Sequence, residues 1–116
     1  MNYNYDTMTQ KKLRKLVLKS KFPAVRYEAT MRLTDQETLK HVALNDEDDI
    51  VRCEAVKRLT DQETLKHVAL NDKHFCVRLN AVRLIADKKT LEHVFLNDNA
   101  YSVKTEADIR LAELDK

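Results

Sequence analysis

Apolar residues along this chain come in bursts of about ten, separated by short polar runs rich in Asn and Asp. Within a burst such as Leu39, Val42, Ala43, Leu44 the intervals are three and one, which wraps a wide apolar arc around a helix. The next burst, Val51, Ala55, Val56, Leu59, is spaced by four, one and three, a single helical face. The two alternate along the chain, so the pattern predicts helical hairpins: a first helix over about Asp35–Leu44 and a second over about Asp49–Leu59, repeated.

The repetition is literal in places. The fourteen residues Leu33–Asp46 recur letter for letter as Leu59–Asp72, and an offset of 26 aligns most of the chain. Leu39, Leu65 and Leu91 share a column, as do Val42, Val68 and Val94, and Ala55, Ala81 and Ala107; Leu13, Leu16, Leu18, Val25 and Ala29 join more loosely. Residues 1–116 therefore read as one repeat domain with units at about 8–33, 34–59, 60–85 and 86–114. A first helix this apolar cannot be covered within its own unit, so copies have to stack. Asp108 replaces the valine of Val56 and Val82, and Lys19 and Ser20 stand where later units have Asn and Asp, substitutions suited to uncovered ends.

Local signals set the expected boundaries. Thr34 with Glu37, and Thr60 with Glu63, form capping-box patterns, whereas the fourth unit keeps only Asp87 as a cap. Pro23 suits a first helical position. Asn45, Asn71 and Asn97 follow the first helices, and in a chain with no glycine asparagine is the expected residue for a left-handed turn.

Composition narrows the function classes. The absence of glycine excludes P-loop and dinucleotide fingerprints and disfavours tight hairpins of strands. No run approaches the roughly 18 apolar residues of a membrane span, and the opening MNYNYDTMTQKK carries no leader-like apolar stretch; a cytoplasmic protein without membrane contact is expected. Cys53 and Cys76 lack metal-site spacing and read as reduced, half-buried thiols, with a disulfide or redox pair as the alternative. His41, His67 and His93 recur two residues after a core leucine, about 200° around the helix, which places them on the wet side. A solvated column is expected of them; a zinc bridge and a pH sensor are the lesser readings, and no metal or cofactor is expected. His74 and Cys76 lack an orienting third group, so no catalytic residue is assigned and the chain is read as a non-enzyme.

The spacing Asp46…Val51-Arg52…Ala55…Leu59, repeated as Asp72…Val77-Arg78…Ala81…Ile85 and Asp98…Val103-Lys104…Ala107…Leu111, resembles HEAT-like repeats. In the first unit Val25-Arg26…Ala29…Leu33 fits, with Ser20 in place of the aspartate. The resemblance covers roughly residues 8–114, and the short unit is similar in length to HEAT-like repeats of the phycobilisome-lyase type and to leucine-rich variant repeats. It implies an all-α, right-handed α-solenoid of about four stacked hairpins. It also implies a structural ladder in which Asp46, Asp72 and Asp98 pair with Arg52, Arg78 and Lys104, within a unit or with the next. The iron–sulfur cysteine cluster found in some leucine-rich variants has no counterpart here.

Function is read from contrast between columns. First helices barely change, whereas the turns into the second helices change completely: Lys21-Phe22-Pro23-Ala24, Glu47-Asp48-Asp49-Ile50, Lys73-His74-Phe75-Cys76 and Asn99-Ala100-Tyr101-Ser102. One second-helix column, Tyr27, Cys53, Leu79 and Thr105, changes too. Variation of this kind in a repeat array marks a binding face. The expected partner-binding residues are Phe22, Tyr27, Cys53, Phe75, Leu79 and Tyr101, on a monomer that docks a protein partner through the concave second-helix surface. Charge supplies an alternative: residues 1–33 hold eight Lys/Arg against two acids, and residues 34–116 hold thirteen against seventeen. Nucleic acid or another polyanion could therefore bind Lys11, Lys12, Arg14 and Lys15 at the basic N-terminal end. A lyase- or chaperone-like role toward a small cofactor is the third reading, implied only by the phycobilisome-lyase resemblance.

Overall fold

The computed structural model describes residues 3–115. After a single 3₁₀ turn at Tyr5–Thr7, eight helices follow, with no strand among the described residues. They are α1 (Gln10–Lys19), α2 (Pro23–Thr30), α3 (Gln36–Asn45), α4 (Asp49–Lys57), α5 (Gln62–Asn71), α6 (Phe75–Val82), α7 (Lys88–Asn97) and α8 (Tyr101–Leu114). The chain divides into two compact units, Met1–Leu59 and Thr60–Lys116. In the first, α1 packs on α2 and α3 on α4, while α2 meets α4 and α1 meets α3. In the second, α5–α6 and α7–α8 pair likewise, α6 meets α8 and α5 meets α7. This packing of adjacent helices fits a helical repeat. None of these helices is long and apolar enough to cross a membrane.

The cores are built from the aligned columns. Leu13, Leu39, Leu65 and Leu91 are all sealed from solvent, as are Ala29, Ala55, Ala81 and Ala107. Each such leucine contributes about 2 kcal/mol by leaving water. The alanines occupy the second helices, where a side chain of one carbon lets neighbouring backbones approach closely.

Three local expectations are corrected. Asp35 and Asp61, not Thr34 and Thr60, occupy the N-cap positions of α3 and α5, as the expected Asp87 does for α7; Asp61 accepts from the Thr64 N–H at 3.1 Å and Asp87 from the Thr90 N–H at 3.2 Å. The hydroxyls of Thr38, Thr64 and Thr90 donate to the same carboxylates, which explains how Thr38 and Thr64 can be buried. Asn45, Asn71 and Asn97 do not adopt left-handed backbone; no described residue has positive φ. Each remains the last helical residue and donates its side-chain amide to the carbonyl four residues back, at 3.0, 2.9 and 2.9 Å. The chain then leaves in extended conformation at Asp46, Asp72 and Asp98. Finally, Leu44, Leu70 and Leu96 lie on the solvent side rather than inside a fully buried helix.

Candidate interaction surface

The turns between paired helices have a constant frame. Asp46, Asp72 and Asp98 each accept, through Oδ1, the N–H two residues on, at 2.9, 2.9 and 2.8 Å. Ser20 does the same for Phe22 with its hydroxyl at 3.2 Å. Because one side chain satisfies the turn, the residues inside it are released from that duty. The second helices then start in different ways: Asp48 caps the Val51 N–H at 3.0 Å, His74 Nδ1 accepts from the Cys76 N–H at 3.2 Å, and Pro23 occupies the first position of α2.

An arginine locks the frame to the next hairpin. Arg26 donates from Nε and Nη2 to Asp46 Oδ2 and Oδ1 at 3.0 and 3.2 Å, while its Nη1 reaches the Ser20 carbonyl at 3.0 Å. Arg78 repeats this with Asp98 at 2.9 and 3.1 Å and with the Asp72 carbonyl at 2.9 Å, and it adds Asn99 Oδ1 at 3.2 Å. Arg52 Nη1 holds the Asp46 carbonyl at 2.9 Å. Thus one guanidinium fixes its own turn by the carbonyl and the following turn by the carboxylate, and the planar fork matches both at once. In the first hairpin Ser20 stands in the aspartate column. In the last hairpin Lys104 occupies the arginine column, and it forms no ion pair among the described residues.

Held in this frame, one large apolar or aromatic side chain of each turn faces solvent. Phe22 is 60% exposed, Ile50 61%, Phe75 45% and Tyr101 84%. The His74 and Phe75 rings stack with centroids 5.2 Å apart. Tyr27, Cys53 and Leu79 are half-buried, while Cys76 and Thr105 are exposed. Beside Tyr101, a concavity of about 380 Å³ is lined by Phe95, Leu96, Lys104, Thr105 and Asp108.

The first hairpin carries a larger cleft, of about 560 Å³, lined by Tyr3, Met8, Lys12, Lys15, Leu16, Lys19, Ser20, Lys21 and Phe22. Of the basic residues expected to act together, Lys12 and Lys15 line it; Lys11 and Arg14 do not. A smaller polar groove of about 270 Å³ lies over the first rung, with Arg26, His41, Asn45 and Asp46 in its wall, but the arginine and aspartate there already satisfy one another.

No family model, curated protein or solved structure matches this chain. Function must therefore be read from the surface itself. His41, His67 and His93 are exposed, each close to the amide of the asparagine four residues on. The described residues hold no group of three or more His, Cys, Asp or Glu able to bind a metal ion.

Two structural devices escaped the sequence reading. Arg26 belongs in the ladder, and its signal was its place in the Arg52 and Arg78 column. The other is a glutamine clamp. Gln10, at the start of α1, donates to the Arg32 carbonyl at 2.9 Å and accepts from the Thr34 N–H at 2.9 Å. Gln62 does the same with Leu84 and Ala86 at 2.9 and 3.0 Å, and Gln36 donates to the Arg58 carbonyl at 3.0 Å. Each clamp ties the exit of a hairpin to its own entrance. At the last hairpin Lys88 occupies the column and pairs with Asp115 at 2.6 Å.

Proposed function

We propose that this chain is a non-enzymatic protein-binding module: a HEAT-like, right-handed α-solenoid of four hairpins that docks a partner through its second helices and the turns leading into them. What supports the reading is one contrast. An aspartate builds the turn in three hairpins and a serine in the first, each accepting the N–H two residues on, while the side chains carried by the turn differ and include exposed Phe22, Phe75 and Tyr101. Exposed aromatics on a rigid frame supply contact area with little ordering cost, the usual composition of an interface core.

The test is quantitative capture from the native lysate, with wild type beside Phe75→Ala and Tyr101→Ala. Both residues are exposed, so helicity and melting should not change. Loss of the captured protein in these variants, with circular dichroism unaltered, is the expected result; undiminished capture by both rejects the surface.

A further inference from the structure

α1 differs from the other first helices in what it shows to solvent. Lys12, Lys15 and Lys19 recur at intervals of three and four and so share a face, with Leu16 among them. The same columns in later units hold threonine, histidine and asparagine, and the counterparts of Leu16, namely Val42, Val68 and Val94, are buried, whereas Leu16 is half-exposed. With Lys21 these lysines ring the cleft, and among the described residues no carboxylate pairs with any of the four. Like charges gathered in this way repel one another, and an anion docked among them relieves the repulsion.

The chemistry of the lining selects the anion. Carboxylates satisfy ammonium groups, while Leu16 and Phe22 call for bulky apolar groups between them. Arginine, the preferred fork for phosphate, is absent from the lining, which disfavours nucleic acid. A bilayer surface does not enter a concavity. We propose that this cleft binds an acidic peptide segment of a partner protein, one in which glutamate or aspartate alternates with leucine- or phenylalanine-sized side chains. The cleft thereby gives the protein-binding reading above a partner chemistry.

The test is fluorescence anisotropy with a fluorescein-labelled synthetic peptide of glutamate, leucine and phenylalanine. Its controls are the same peptide with serine for the apolar residues, a single-stranded oligonucleotide, and sedimentation with phosphatidylserine vesicles. The apolar-acidic peptide should bind, and Lys15→Glu/Lys19→Glu should weaken it about tenfold or more. Phe22→Ala should weaken it a few-fold at unchanged helicity. Absence of binding, equal affinity for the serine peptide, an unaffected charge-reversal variant, or preference for the oligonucleotide or vesicles overturns the proposal. If the peptide fails while Phe75→Ala still abolishes capture from lysate, the cleft proposal falls and the module reading stands.

Discussion

Arg26 reaches twenty residues forward to Asp46 and holds it by two hydrogen bonds, with both side chains only 7% exposed. Removing one partner of such a pair strands the other in a poorly solvated place. Arg26→Ala is therefore expected to lower unfolding free energy by about 3 kcal/mol, read from urea melts. Combining Arg26→Met with Asp46→Asn should recover part of that loss, because the amide oxygen can keep the bond from the Asp48 N–H while the orphaned charge is removed. A cost below about 1 kcal/mol for Arg26→Ala would place the rung among ordinary surface pairs.

Leu65 and Leu96 both belong to first helices, yet one is sealed and the other is 69% exposed. Leu65→Ala should destabilise by about 3 kcal/mol, and Leu96→Ala should stay within about 0.5 kcal/mol. Equal costs would contradict the assignment of faces.

Donation from the Thr90 side chain holds the Asp87 carboxyl below the ordinary carboxylate value of 3.8, and Thr38 does the same for Asp35. A carboxyl lowered by folding adds stability above its unfolded pKa and loses it as pH falls through the folded value. Melting should thus be insensitive to these two groups from neutrality down to the ordinary carboxylate range, then fall more steeply below it. Thr90→Val should move the Asp87 carboxyl titration upward, as followed by carbon-detected NMR; an unmoved titration would show that the hydroxyl is not the cause.

Gln62 ties the turn after α6 to the start of α5 through the Leu84 carbonyl and the Ala86 N–H. Gln62→Ala should accelerate hydrogen exchange at Ala86 by about fivefold to tenfold while leaving the buried amides of α5 unchanged. Unchanged exchange at Ala86 would rule out the clamp.

The helices, their pairing and the leucine and alanine columns were legible because burial imposes periodicity on every unit alike. What escaped the sequence were choices among chemically similar neighbours. Thr34 and Asp35 are both good caps; the aspartate takes the position, where its carboxylate accepts from the Thr38 hydroxyl across one turn. Asn45 suits a left-handed turn, but the Asp46 carboxylate, by accepting the Asp48 N–H, lets the chain turn in extended backbone. The glutamine clamp spans more than twenty residues, so no local pattern announces it. The exposed turn residues were visible as variation, while the cleft on α1 was visible only as an unbalanced charge.

The most direct test of a constant frame carrying variable side chains is to transplant a turn. Replacing Lys73, His74, Phe75 and Cys76 by the residues at 47–50, through Lys73→Glu, His74→Asp, Phe75→Asp and Cys76→Ile, retains Asp72 and installs an aspartate cap. The predicted result is unchanged helicity and a melting temperature within a few degrees of wild type, with loss of the captured partner. Collapse of the fold, or full retention of the partner by a folded variant, would contradict the separation of scaffold from binding surface.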